Sequence, residues 1–173
     1  MATAAVLPGN DAVVAEIFIA APPERVFQAI TDPAQTSQWW GQKGMYRVTE
    51  KSSDLRPGGR WSTSGVGADG TKFTVDGEYL EVDPPRLLVH TWNPSYKEHP
   101  KKTVVRWELK LQGVHGLHQS GPQKMGTGTL VKLTHSGFAG DEKDAADHGN
   151  GWKRVFGWLQ AFVEQGQTID TRE

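Results

Sequence analysis

Apolar and polar positions follow two different periods along this chain. From Asp141 to Gly166 the period is helical. With Trp152 set at zero and about 100° turned per residue, Val155, Phe156, Leu159, Phe162 and Val163 fall within an arc of roughly 120°. Lys153, Arg154, Gln160 and Glu164 point away from it. His148 lies four residues before Trp152 and shares the apolar face. Asp141 suits the N-cap, Asp144 the first turn and Gly166 the stop.

Before this helix the period is mostly two. Val13–Ala20 reads as a strand with Ala15, Ile17 and Ile19 on one face. Pro22-Pro23 opens a helix through Thr31 that turns Val26, Phe27 and Ile30 inward. Asp32-Pro33 ends it and starts a second short helix that runs into Trp39-Trp40-Gly41. Strands are then predicted over 45–55, 60–65, 71–82, 86–93, 103–112 and 127–137. Phe73, Val75, Gly77 and Tyr79 share one face, as do Leu88, His90 and Trp92, and Val105, Trp107, Leu109 and Leu111. Asn93–Lys101 reads as a polar loop and Gly113–Gly126 as a mobile excursion without periodicity. Residues 1–11 and 167–173 read as flexible tails around one domain, 12–166. Strands joined by short turns imply an antiparallel meander, and the apolar helix needs such a sheet to lie on.

Composition narrows the reading. The 19 basic and 20 acidic residues leave a formal net charge of -1, and no basic stripe argues for nucleic acid. There is no cysteine, which excludes disulfides, thiol catalysis and zinc–thiolate sites. The N-terminus does not read as a signal peptide, and no apolar run is long enough to span a membrane. A cytoplasmic protein is therefore expected. Seven tryptophans and 20 glycines point to a wide aromatic interior and many tight turns.

The order AAPPERVFQAITDP, WW-G, PGG-W, VDPPRLLVHTW and a late GW-x-x-x-x-x-x-L (Gly151, Trp152, Leu159) resembles the START-like helix-grip superfamily. Within it, the chain is most similar to homologues of the C-terminal domain of the heat-shock protein 90 ATPase activator. The resemblance covers about residues 12–166. It implies an α+β fold: a curved seven-stranded antiparallel sheet gripping the C-terminal helix over an apolar cavity, with two short helices after the first strand. It also implies a choice among ligand binder, cyclase or aromatase, and co-chaperone. The eukaryotic co-chaperone has a separate N-terminal domain that this sequence does not show, so a chaperone partner is the weaker expectation.

The candidate ligand site is aromatic. It comprises Trp39, Trp40, Trp61, Phe73, Tyr79, Trp92, Trp107, Trp152 and Phe156, with Phe138 in the same aromatic set. Any one of these reads first as core; together they suggest a pocket. His90 and His148 are the polar candidates, each singly favoured as a hydrogen-bonded core histidine. Gly149 and Gly151 read equally as a delayed helix start or as space for a ligand. His115 and His118 have no carboxylate or thiolate beside them, so no metal site is expected. Ser62, Ser64 and Ser136 form no nucleophile elbow, and no cofactor is implied. The expected partner is a small apolar or aromatic molecule. A homodimer is a further expectation, with Trp158 at the edge of the helix stripe as its contact.

Overall fold

The computed structural model describes residues 2–9, 11–97, 102–113 and 127–172. The excursion 114–126, with His115 and His118, and the loop tip 98–101 lie outside the described residues. The chain opens with β1 (Thr3–Val6) and β2 (Ala12–Ile19), then α1 (Pro23–Thr31) and α2 (Pro33–Trp39). Five strands follow: β3 (Gly41–Gln42), β4 (Tyr46–Ser53), β5 (Arg60–Gly67), β6 (Lys72–Asp83) and β7 (Leu87–Pro94). The chain closes with β8 (Thr103–Gly113), β9 (Thr127–Ser136) and α3 (Glu142–Gln165).

Among the described residues the strands form one nine-stranded sheet in the order β1-β2-β9-β8-β7-β6-β5-β4-β3. Every pairing is antiparallel. The expected count of seven is thus corrected to nine. The additions are the two edge strands, β1 and β3, too short for any alternation to mark them. Residues 3–6 and 167–172 are also not loose. Thr3–Val6 pairs with β2. Ile169 is only 1% exposed and donates its backbone N–H to the Gln38 carbonyl.

Helix α3 lies on the concave face for the reason its sequence gives. Trp152, Val155, Phe156, Leu159 and Phe162 are buried, facing Ala15, Ile17 and Ile19 of β2 within one core cluster. Asp141 caps it by accepting from the Asp144 N–H at 3.0 Å. Gly166 ends it in the left-handed region at φ 69°, where a side chain would be strained. Trp158, expected at an edge and offered as a dimer contact, is instead buried. Tyr46 meets its ring edge-on at 5.7 Å, and the Arg172 guanidinium lies 5.5 Å from its centroid. That removes the sequence argument for a dimer.

Two irregularities shape the sheet. The register slips between Val48 and Glu50 on β4 and between Tyr79 and Glu81 on β6. Such bulges bend a strand, sharpen its twist and re-aim the side chains that follow. Strand glycines let aromatic rings lie flat against the backbone. A side chain at Gly65 would collide with Phe73, one at Gly77 with Trp61 and Thr91, and one at Gly128 with Phe18. These glycines are ring seats, whereas composition had suggested turns.

Candidate functional site

Two tryptophan–histidine pairs cross the interior. On β7, His90 faces inward and receives a hydrogen bond from Trp107 Nε1 at 3.1 Å on its Nε2. Its proton therefore sits on Nδ1, which donates to the Thr91 carbonyl at 3.0 Å. On β9, His135 receives Trp152 Nε1 on Nδ1 at 3.1 Å. Its Nε2 then donates to Thr103 Oγ at 2.8 Å. Both imidazoles are fully engaged as neutral rings. Burial pushes His90 down to about 4; the Thr91 bond opposes this and the Lys51 charge adds to it. Burial also holds His135 well below the ordinary range, aided by His148 and His90.

Beside these pairs, between α3 and the strands β4 to β7, lies a cavity of about 770 Å³. That is the size of a small-molecule site. Trp40, Trp61, Trp92, Trp107 and Trp152 line it, with Phe73 and Tyr79. Trp92 packs against Trp152 at 5.3 Å and against Trp61 at 5.7 Å, so the indoles form a continuous wall. Gly151 is part of the lining, and a side chain there would meet open space.

Most of the expected aromatic set comes together here, as do His90 and His148. Three residues do not: Phe138 is buried in a separate cluster with Val13 and Ala145, and Trp39 and Phe156 lie in the core. Trp39 is fully buried away from the cavity, donating to the Ala29 carbonyl at 2.9 Å and stacking on Trp40. Phe156 is fully buried behind Trp107. His90 reaches the cavity by its ring alone, because both nitrogens are engaged. His148 is anchored through Nδ1, 2.9 Å from the Asp144 carbonyl and 3.2 Å from Asp144 Oδ1. The glycine question divides: α3 is continuous through both positions, so the delayed start is excluded. Gly149 packs on β2, where an added Cβ would stand 3.4 Å from Val13 Cγ1, while Gly151 leaves space.

Sequence reading missed Lys51, Tyr46, Tyr96 and His135. The alternation over 127–137 would have marked His135, two residues on from Leu133. Lys51 had no such signal. Counting by two from Tyr46 and Val48 puts Glu50 inside and Lys51 outside; the bulge reverses them. Lys51 Nζ donates to the Ile30 carbonyl at 3.1 Å and lies 5.9 Å from the Trp61 ring centroid. The stem is partly exposed but the amino group is enclosed, and burial pushes it down to about 8. Among the described residues no trio of metal-ligating side chains occurs, and no helix is long and apolar enough to cross a membrane.

A curved antiparallel sheet closed by a C-terminal helix over an internal cavity defines the helix-grip class of α+β proteins. Within that class the match is to the family described as activator of Hsp90 ATPase homolog 1-like protein, over residues 20–117, and the chain belongs to that family. Solved structures share the fold. A protein of Rhodobacter sphaeroides superposes with a TM-score of 0.76 at 18% identity, covering 96% of this chain and 100% of that one. A protein of Nitrosomonas europaea gives 0.70 at 21%, covering 93% and 99%. CalU16 from Micromonospora echinospora gives 0.60 at 23%, covering 96% and 85%. Among curated proteins none matches the sequence significantly.

Proposed function

We propose that this protein binds a small, largely aromatic or apolar molecule in the cavity between the curved sheet and α3. The observation that carries the reading is a cavity of about 770 Å³ walled by five indoles. Flat π-surfaces offer stacking area to a ring system at little entropic cost. Binding is favoured over proton-transfer chemistry because, of the two histidines that line the cavity, His90 has both nitrogens committed within the fold and His148 is tied through Nδ1 to Asp144. A cyclase or aromatase would want opposed acid and base groups free in the pocket. The co-chaperone reading would need an apolar or strongly charged outer patch, which the near-neutral charge does not suggest.

N-phenylnaphthylamine, an uncharged fluorophore, tests the reading. It should bind with micromolar affinity or better and quench tryptophan emission. Gly151→Leu projects a side chain into the open space and should abolish binding while the variant stays folded. If the intact protein shows no binding, or Gly151→Leu binds equally well, the cavity is not a ligand site.

A further inference from the structure

At the β4 end of the cavity Lys51 brings a charged hydrogen-bond donor into the lining. An ammonium carries three N–H donors. Lys51 Nζ has one engaged, by the Ile30 carbonyl at 3.1 Å. No carboxylate among the described residues pairs with it. Beside it stands Trp61, and next to Trp61 stands Trp92. Among the described residues neither buried indole N–H has a hydrogen-bond partner, and that of Trp61 lies over Gly77 of β6. His90 offers no acceptor there, since Trp107 occupies its free nitrogen.

A cation kept in an aromatic chamber without a counter-ion is unfavourable for the fold alone. The rim has the same sign. Lys72 and Arg154 line the cavity at exposed positions, whereas Asp147, the one acidic lining residue among the described residues, is held by Lys143 at 3.0 Å. We propose that the natural ligand is an aromatic or fused-ring acid, whose ionised oxygen group seats on Lys51 Nζ while its ring body lies along Trp61, Trp92 and Trp152. This rests on the ligand-binding reading above and names the chemical class of the ligand. The anion supplies the missing counter-charge, and at an enclosed amino group a charge-assisted bond is stronger than one in water. The basic rim draws such a ligand in.

Two probes with a common ring system separate this proposal from simple apolar binding. Anilinonaphthalenesulfonate carries an anionic group; N-phenylnaphthylamine does not. Lys51→Met keeps the length and removes the charge. It should weaken the sulfonate about tenfold or more and change the neutral probe less than about twofold. Lys72→Gln, at the exposed rim, should alter sulfonate affinity less than about threefold. Should Lys51→Met fail to fold, Lys51→Gln is read by the same criteria. If the sulfonate is unaffected, or both probes weaken equally, the anion seat is wrong though the cavity still binds. If neither probe binds the unmodified protein, the binding reading falls and the anion seat with it.

Discussion

Trp107 donates its indole N–H to His90 Nε2 at 3.1 Å, from the neighbouring strand and inside the core. The bond fixes the tautomer and holds the ring neutral. Protonating His90 would set an N–H against an N–H at a buried position.

Stability should therefore fall in mild acid. In the unfolded chain His90 takes a proton near 6.5; folded, it resists until about 4. Its contribution is complete above pH 6.5 and is lost as pH falls toward 4, because the unfolded state binds the proton first. The shift corresponds to roughly 3 kcal/mol, and His135 acts in the same direction. Urea unfolding at pH 7.5 and pH 4.5 measures the drop. His90→Gln, whose amide oxygen can still accept from Trp107, should give a visibly shallower slope. An unchanged slope would mean that the paired imidazoles do not govern acid sensitivity.

Lys51 has the opposite economy: it weakens the fold that holds it. Its amine titrates near 8 when folded and 10.5 when unfolded. The penalty is complete below pH 8 and fades as pH rises toward 10.5. Lys51→Met should therefore raise stability at pH 7 by about 1–3 kcal/mol, a gain that shrinks by pH 10. Chemical denaturation at the two pH values decides it. A destabilised Met variant would show that the Ile30 bond outweighs the burial cost.

How far the sequence spoke depended on whether a period was unbroken. The apolar arc of α3 and the alternation of β2, β7 and β8 put Trp152, Ile17, His90 and Trp107 on inward faces, because each period holds over most of its element. The alternation fails at the end of β8, where Leu111, expected inside, is 60% exposed beyond the reach of the core. Lys51 was illegible because a single extra residue in β4 inverts the faces after it, and no local residue type announces such a bulge. Gly65 and Gly77 fall within predicted strands, yet what requires glycine there is set by rings from other strands, which no local pattern shows. Trp39 and Trp40 are adjacent in sequence but diverge: one is a core ring bonded to Ala29, the other a cavity wall.

The C-terminal segment should matter more than its composition suggests. Ile169 is buried, and Arg172 donates to the carbonyls of Trp39 and Gly41, both at 2.8 Å. Removing residues 167–173 exposes the end of α2 and uncovers Trp158. Burial of Ile169 alone accounts for about 1.5–3 kcal/mol, so the truncated chain should melt several degrees lower. An unchanged melting temperature would make these contacts incidental.

Gly77 and Gly151 lead to opposite expectations for the same substitution. A Cβ at Gly77 would overlap the Thr91 carbonyl oxygen and come within 2.7 Å of Trp61 Nε1. Backbone cannot yield there without breaking the β6–β7 ladder, so Trp61 must lift and the strand must bend. Gly77→Ala should cost about 1–3 kcal/mol, by the same mechanism as other overpacked interiors. Because Trp61 walls the cavity, its displacement should also shift the tryptophan emission spectrum. Gly151→Ala meets nothing within 4 Å and lies inside a helix. It should stabilise by up to about 1 kcal/mol through helix propensity alone. Thermal melts of the two alanine variants side by side make the comparison. If Gly77→Ala is neutral, the indole does not rest on β6; if Gly151→Ala is destabilising, the space beside α3 is not open.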